Sequence, residues 1–549
     1  MRNIFILVSA LLLGACRPTA DVNATDPAYT GLAAIDTAAV RAHVEFLADD
    51  LMEGRASGTR GYDLAANYVA AEFTKLGLRP AGEDGSYFQD IAFRRTSLVE
   101  GSPALSLSRD GENRELVFEE DYLVFGDYVH EETDFSAEVV YVGFGITAPE
   151  LDYDDYAGID VEGKVVAYLI GAPEQFASDQ RAFYSSSRGK AKLAVAKGAV
   201  GMIAFYHSRD WERRPWARSV AARKSPGLRW LDENGQPGHV YPELKVVAFL
   251  SPAGSQQLFT GAEYSRDDVF AAADEGRPMS FALPVSTDLQ QRSLHEEVNS
   301  ANVLAVLEGS DPKLKDEYVL YSAHLDHIGI GTPVDGDAIY NGAYDNATGI
   351  AIMLEVARVF SRLEQRPKRS ILFAAVAAEE KGLLGSDYFA NEPTVPMENI
   401  TSNVNLDMPL LLYPLGDVIA FGAEHSSLED VVRRAAGQVE LELSPDPFPE
   451  EVIFIRSDQF SFVQKGVPAV FLVPGMQSAD EEINGQEIYM HFLGTHYHQP
   501  SDDLDRDFNM ESVYKFTAAN FLIGLDLANT AVNPTWNEGD FFGEKYGRD

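Results

Sequence analysis

Residues 318–327 read YVLYSAHLDH, an apolar run typical of a buried strand that ends in two histidines and an aspartate. A second apolar run, at residues 370–377, leads in the same way into Glu379 and Glu380, and a third leads into Asp407. Ligands of open α/β sheets collect at the carboxyl ends of the strands. We therefore expect these side chains to share one edge of a sheet.

The surrounding pattern supports such a sheet. A rhythm of apolar strands and helical segments runs from about residue 302 to 527 and predicts a βαβ arrangement. Apolar residues at helical spacing predict two amphipathic helices, at 36–51 and 61–78. Between about 133 and 286 the pattern turns β-rich, with short apolar runs bounded by Gly and Asp, which indicates a separate domain.

Two loops add further polar side chains. Residues 341–349, NGAYDNATG, open an apolar helix, where Asp345 either caps the helix or bridges two cations. Residues 494–505, GTHYHQPSDDLD, include His498 in a cluster of histidines and acids. Five of the eleven histidines lie in 324–327 and 491–498, and this concentration favours a functional site over scattered structural histidines.

The adjacent acids Glu379 and Glu380 leave a buried strand, which is costly unless each carboxylate has a cation or a proton to handle. One reading gives one acid to a metal and the other to acid–base catalysis, and the alternative is a solvated turn. Beside them, His324 can bind a metal through one ring nitrogen. Asp326 is then placed to hold the other nitrogen and fix the tautomer.

The composition limits both the binding partners and the metal ligands that this chain can use. The 549 residues contain 44 Lys and Arg against 85 Asp and Glu, a formal charge of −41, which argues against nucleic-acid binding. The chain has one cysteine, which excludes cysteine-based zinc sites. A transition-metal site must therefore use His, Asp and Glu.

That cysteine marks an export segment. Residues 1–15, MRNIFILVSALLLGA, have a positive start and a short apolar core, and predict a signal peptide. The run ends before Cys16 and resembles a bacterial lipobox, so Cys16 is the predicted lipidation site that holds the chain at a membrane. Arg17, rather than Asp, favours the outer membrane and periplasm. The alternative is an ordinary signal peptide followed by a chance cysteine.

Taken in order, the polar residues carry a family resemblance. The residues are His324, Asp345, Glu379, Glu380, Asp407 and His498. In this order they resemble the metal ligands and general base of the co-catalytic di-zinc peptidases of metallopeptidase family twenty-eight. That family contains bacterial and yeast aminopeptidases. Residues 43–80 are similar to the family's opening segment. Residues 139–166, VVYVGFGITAPELDYDDYAGIDVEGKVV, resemble the protease-associated domain often inserted in these enzymes.

The resemblance implies a zinc-exopeptidase-like three-layer α/β/α domain with a mixed, mainly parallel sheet, plus an inserted β-rich protease-associated domain. It also implies two Zn²⁺ per chain. His324 and Asp407 would bind one ion, Glu380 and His498 the other, and Asp345 would bridge them. A metal-bridging hydroxide would attack the peptide bond with Glu379 as general base, and the most similar segments are those of aminopeptidases that release N-terminal residues.

Two positions depart from the family pattern. Tyr344 stands where many members have an acid, and Gln459 stands where relatives often carry a His or Tyr that faces the substrate. Gln459 is therefore a predicted substrate-pocket residue. The alternatives of the same fold are a carboxypeptidase, a glutaminyl cyclase-like acyltransferase with one zinc, or a non-catalytic receptor-like member. A serine hydrolase is disfavoured because the sequence has no Gly-x-Ser-x-Gly elbow.

The predicted domain organisation follows from these patterns. After the signal peptide comes a polar tether at 16–32. The peptidase domain is predicted from 33–132 and 287–530, with the protease-associated domain at 133–286 between them. Residues 531–549, which contain Pro, Gly and charged residues, are predicted to form a loosely attached tail. The sequence leaves the oligomeric state open.

Overall fold

The computed structural model describes residues 26–223 and 225–548. The predicted signal peptide and Cys16 lie outside these residues and stay predictions. None of the helices in the two described ranges is long and apolar enough to cross a membrane.

The described residues alternate between helices and strands along most of the chain. The α-helices are α1 (Pro27–Ala34), α2 (Thr37–Leu47), α3 (Arg60–Lys75), α4 (Ser178–Ser185), α5 (Ser187–Ala196), α6 (Trp216–Arg223), α7 (Pro252–Leu258), α8 (Arg266–Asp274), α9 (Thr348–Arg362), α10 (Leu384–Asn391), α11 (Leu428–Gln438), α12 (Gln459–Val463), α13 (Gly485–Thr495), α14 (Met510–Asn529) and α15 (Phe541–Tyr546). The strands are β1 (Arg79–Pro80), β2 (Phe88–Leu98), β3 (Ala104–Arg109), β4 (Glu112–Glu115), β5 (Tyr122–Val124), β6 (Glu132–Val142), β7 (Thr147–Ala148), β8 (Tyr153–Asp154), β9 (Val165–Leu169), β10 (Gly201–Phe205), β11 (Gly227–Trp230), β12 (Val246–Leu250), β13 (Ser280–Leu307), β14 (Tyr318–His324), β15 (Gly329–Val334), β16 (Asp337–Tyr340), β17 (Ser370–Val376), β18 (Ile400–Leu406), β19 (Asp417–Phe421), β20 (Glu442–Ser444) and β21 (Ala469–Pro474).

The main sheet runs in the order β20, β19, β21, β18, β14, β17 and β13, with β2 beyond β13. Strands β17, β14, β18 and β21 at its centre are parallel, and antiparallel strands flank them. This arrangement confirms the predicted α/β fold with a mixed sheet. It also brings the carboxyl ends of β14, β17 and β18 together at one edge.

Helices cover both faces of the main sheet. In β14, Val319 and Tyr321 belong to the core that includes α2, α9 and α14, whereas Leu320 faces the core shared with α10 and α12. Because strand side chains alternate in direction, a strand buried on both faces reads as the continuous apolar run seen in the sequence. The helices near the start of the chain therefore pack on the C-terminal half of the peptidase unit, as expected.

A second sheet contains β3 to β6, β9, β10, β12 and the first part of β13. Its strands begin at Ala104, before the predicted domain border at 133, and that border falls inside β6. The border at 286 falls inside β13, a 28-residue strand that pairs with β6 in the second sheet and with β2 in the main sheet. The change of sheet thus occurs within a continuous strand and not at a turn.

The predicted tether is too long by several residues. It was expected to run to residue 32, but α1 begins at Pro27, where Asp26 caps the helix by accepting a hydrogen bond from the Ala28 amide at 2.9 Å. Gly31 lies against the ring of Phe521 in α14, and a Cβ there would clash with it. Because Gly31 has no side chain, this face of α1 can pack closely against α14.

The C-terminal residues are also more tightly held than predicted. Helix α15 places Phe542, which is fully buried, in a cluster with Phe454 and Phe460. Asp540 accepts a hydrogen bond from His425 at 2.7 Å. The prediction of a loose tail was wrong because it weighed the Pro, Gly and charged residues above the aromatic residues of this helix.

Candidate metal centre

The ends of neighbouring strands supply most of the polar side chains. His324 is the last residue of β14, Glu379 and Glu380 follow β17 on a short 3₁₀ helix, and Asp407 follows β18. Strand β14 pairs with both β17 and β18 in parallel register, so all three carboxyl ends meet. Asp345 enters from the turn that precedes α9, and this turn completes the site.

One cluster forms around His324. Its Nε2 atom lies 3.0 Å from Asp407 Oδ1 and 3.2 Å from Asp345 Oδ1. All three residues are buried. The Nδ1 atom of the same ring lies 3.1 Å from the backbone carbonyl of Asp326, and a hydrogen bond there leaves the Nε2 lone pair free to bind a cation.

A second cluster forms around His498. Its Nε2 atom lies 3.2 Å from Asp345 Oδ2 and 3.2 Å from Glu380 Oε2. Asp345 therefore offers one carboxylate oxygen to each cluster, which is the arrangement of a bridging ligand. The imidazole of His498 keeps 31% of its surface exposed, so the site opens to solvent on this side.

These distances suit zinc. Zinc binds histidine nitrogen and carboxylate oxygen at about 2.0–2.2 Å, so neighbouring ligand atoms of a tetrahedral site lie roughly 3.3 Å apart. The observed separations of 3.0 and 3.2 Å match this spacing in both clusters. Three buried carboxylates so close together would also repel one another without positive charge between them. The donor set therefore fits two divalent cations.

The protein environment shifts the pKa values of the two adjacent glutamates in opposite directions. Burial raises the pKa of Glu379 well above its ordinary value, and the charges of Asp407 and Glu380 raise it further. Burial also acts on Glu380, but the nearby His498 and His327 lower its pKa well below the ordinary value. A carboxylate that holds its proton more readily is suited to proton transfer, and one that stays ionised is suited to metal binding.

Asp326 acts on a different partner from the predicted one. Its carboxylate was expected to hold the free ring nitrogen of His324, but that nitrogen faces the backbone carbonyl of Asp326 instead. The carboxylate accepts hydrogen bonds from the backbone amides of Glu379 at 3.0 Å and Glu380 at 3.4 Å. Asp326 thus orients the turn that carries both glutamates, because those amides lie within its reach across the sheet edge.

Gln459 does not line a pocket, and this prediction was wrong. Its side chain is completely buried at the start of α12. The amide nitrogen donates to the carbonyl of Phe454 at 2.6 Å, and the amide oxygen accepts from Asn405 at 3.0 Å. Both ends of the amide are therefore satisfied inside the protein, and neither is available to a substrate.

Several residues of the site escaped the sequence analysis. Ser457 donates a 2.6 Å hydrogen bond to Asp407 Oδ2. The carboxylate of Asp502 accepts hydrogen bonds from the backbone amides of Tyr344 and Asp345, at 2.9 and 3.1 Å. Arg55, which is fully buried, donates to four backbone carbonyls, among them that of Leu325 just after β14. For Asp502, its place in the acidic run after His498 was a signal in the sequence. Ser457 and Arg55 had no comparable signal.

Comparison with known proteins agrees with this geometry. Residues 302–522 match Peptidase family M28. A probable zinc metalloprotease of Pyrenophora teres f. teres is 39% identical over 111 residues, which cover 20% of this chain and 23% of that protein. Aminopeptidase NAALADL1 of Rattus norvegicus is 36% identical over 116 residues, which cover 20% of this chain and 14% of that protein. The chain thus spans less than a quarter of the length of either relative.

A solved structure extends the similarity to nearly the whole chain. The aminopeptidase from Aneurinibacillus sp. strain AM-1 superposes with a TM-score of 0.54, at 19% sequence identity, over 92% of this chain and 97% of that one. At this identity the match establishes the fold. The overall α/β fold is therefore shared with that structure.

Proposed function

We propose that the chain is a zinc metallopeptidase with two ions in its active site, and that it releases N-terminal residues from peptides, because residues 302–522 match Peptidase family M28. The observation that carries the proposal is Asp345. Its two carboxylate oxygens lie 3.2 Å from His324 and from His498, in two separate clusters. A residue that merely capped α9 would have no reason to contact a histidine on each side.

His324 and Asp407 would hold one zinc, Glu380 and His498 the other, and Asp345 would serve both. When bound, the ions lower the pKa of coordinated water and polarise a carbonyl group, the chemistry that peptide hydrolysis needs. Ser457 and Asp326 keep the ligands and the acidic turn in place through the hydrogen bonds described above.

Glu379 is the proposed general base. Its carboxylate lies on the turn beside the ligands but has no ion-pair contact with His324, His327 or His498 among the described residues. It would take the proton from the attacking water and pass it to the leaving amine. Its raised pKa supports this role, because a base must be able to carry the proton between the two steps.

Two observations favour an aminopeptidase over a carboxypeptidase. The relative and the solved structure with that description are both aminopeptidases by name. The net charge of −41 also gives a field that attracts a protonated amino terminus rather than a free carboxylate.

The test is hydrolysis of a panel of aminoacyl anilides and N-blocked peptides, each with and without a chelator. We expect cleavage of the free-amine substrates alone, loss of activity on chelation and recovery with Zn²⁺. Cleavage of the blocked peptides from their carboxyl end would identify a carboxypeptidase. Cyclisation of N-terminal glutamine without hydrolysis would identify a cyclase of this fold.

A further inference from the structure

His327 belongs to neither ligand pair, yet it lies at the second cluster. The residue follows β14 by three positions, and its side chain is completely buried. Its Nδ1 atom lies 2.7 Å from Glu380 Oε1 and 3.9 Å from Asp345 Oδ2. The ring also meets that of His498 edge to face, with 5.8 Å between the ring centroids.

Among the residues that the structure describes, neither ring nitrogen of His327 has a hydrogen-bond partner, and Glu380 Oε1 has none either. The two atoms are close, but the carboxylate oxygen approaches the ring nitrogen without hydrogen-bond geometry. A buried donor or acceptor left unpaired is unfavourable, so such groups are rare and call for an explanation. His327, Asp345 and Glu380 each offer a ligand atom, and these atoms lie within 4.8 Å of one another, so a cation between them would pair the unpartnered groups.

The ring is also held firmly where it lies. Gly342 sits directly against it, and a Cβ at Gly342 would come within 2.5 Å of the His327 Cγ atom. Gly342 has a φ of +60°, a conformation that favours glycine. The backbone amide of His327 donates to the carbonyl of Arg55 at 3.3 Å. Close packing against Gly342 thus limits the positions open to this ring.

We propose that His327 is a further ligand of the zinc ion held by Glu380, His498 and Asp345. The inference rests on the proposed function, since it assumes that both zinc positions exist. With His327 the second position has two imidazoles, whereas the position at His324 and Asp407 has one. The second position is then the tighter of the two, and the zinc at His324 leaves first when a chelator is added.

Zinc affinity gives the first test, measured on the full chain by competition with a chromogenic chelator. His327→Gln keeps most of the volume and removes the imidazole, and His491→Gln is the matched control because His491 is exposed on α13. We expect His327→Gln to weaken one of the two zinc ions by at least about 10-fold, and the control to bind as the wild type does. Unchanged affinity of both ions in His327→Gln overturns the proposal.

X-ray absorption on the wild-type chain loaded with zinc gives the second test, which needs no folded variant. Direct binding of His327 predicts three imidazoles shared between two zinc ions. A hydrogen bond from His327 that only orients Glu380 predicts two, and that count overturns the proposal while leaving a di-zinc centre. A wild-type chain that binds no second zinc overturns the proposed function together with this inference.

Discussion

At the scale of single residues, substitutions of the two adjacent glutamates should have different effects, one on proton transfer and the other on metal binding. Glu379→Gln keeps the shape of the side chain but cannot accept a proton, so turnover should fall by roughly 10²–10⁴-fold. Zinc content should stay near that of the wild type, because the carboxylate of Glu379 contacts none of the site histidines. The measurement is turnover of an aminoacyl anilide alongside metal analysis of the same sample.

Glu380→Gln should behave in the opposite way. Its carboxylate lies 3.2 Å from His498, so the substitution should weaken one zinc, and added metal should restore part of the activity. A zinc titration of both variants, followed by turnover, compares them directly. Rescue of the Glu379 variant by metal would reverse the two assignments.

Asp345 gives the sharpest test of bridging. Asp345→Ala should lose both zinc ions, because one side chain contacts both clusters. His324→Ala should mainly weaken one. Asp335→Ala, in the exposed turn between β15 and β16, is the control for loss of a carboxylate. Two zinc ions per chain in Asp345→Ala, measured by elemental analysis after dialysis, would contradict a bridging ligand.

At the scale of elements, the segment between the two parts of the peptidase unit contacts the turn that carries the glutamates. Asp387 in α10 accepts hydrogen bonds from Trp230 Nε1 at 2.7 Å, and its Oδ2 lies 2.8 Å from His239 Nε2. Arg188 donates to the carbonyl of Gly382 at 2.5 Å. Of these residues, Arg188 contacts Gly382, which ends the turn, whereas Trp230 and His239 contact the helix that follows it. We therefore expect Arg188 to help hold the turn.

Arg188→Ala should therefore reduce kcat without removing zinc. A small displacement of a catalytic group is enough to slow a reaction by about 10-fold or more, while substrate binding elsewhere stays the same. Arg277→Ala is the control from the same segment, since Arg277 is exposed and, within residues 26–223 and 225–548, forms an ion pair with Glu275 alone. Equal kcat in the two variants, with KM and zinc content measured in parallel, would show that the segment does not position the turn.

At the scale of the whole molecule, helix α15 joins the part of the chain that forms the second sheet to the part that forms the main sheet. Phe542 packs in a cluster that includes Phe454 and Phe460, and Phe183 from α4 packs against the same cluster. Removal of a fully buried phenylalanine side chain typically costs about 3–5 kcal/mol. Phe542→Ala should therefore lower the midpoint of thermal unfolding clearly, whereas Val532→Ala, at an exposed position of the same segment, should not.

The same helix should respond to pH through His425. Burial by itself lowers the pKa of His425, but the hydrogen bond to Asp540 and the charge of Glu424 outweigh it, so the pKa is raised. A raised histidine pKa stabilises the folded state below the unfolded value of about 6.5, and this contribution is lost as the pH rises through the folded value. The unfolding midpoint should fall over that interval, and less so in His425→Asn. An identical pH profile in His425→Asn would contradict this.

Two tryptophans, Trp211 and Trp216, pack on the second sheet, where they stand among several arginines. Both rings lie against Phe249, with centroids 6.0 and 5.3 Å away, and Trp216 Nε1 donates to the carbonyl of Glu119 at 2.7 Å. The arginines pair with nearby acids, as Arg213 does with Asp210.

The sequence by itself determined three central strands of the main sheet and the candidate ligands at their ends. An apolar run that ends in a polar residue is a local pattern, and parallel strands bring such ends together whatever the loops do. His324, Glu380 and Asp407 follow such runs. Asp345 and His498 lie in loops, and only the family resemblance placed them in the same candidate set. All five residues lie together in the structure.

Only the tertiary structure decided which way the remaining side chains face. Gln459 turned inward because Asn405 and the carbonyl of Phe454 satisfy its amide, and the carboxylate of Asp326 turned to the acidic turn. His327 looked like any histidine in the sequence, and its unpaired nitrogens appear only once Glu380 is beside it. Asn405, Glu379 and Glu380 each lie more than fifty residues from the partner named here, and no local pattern in the chain records such contacts.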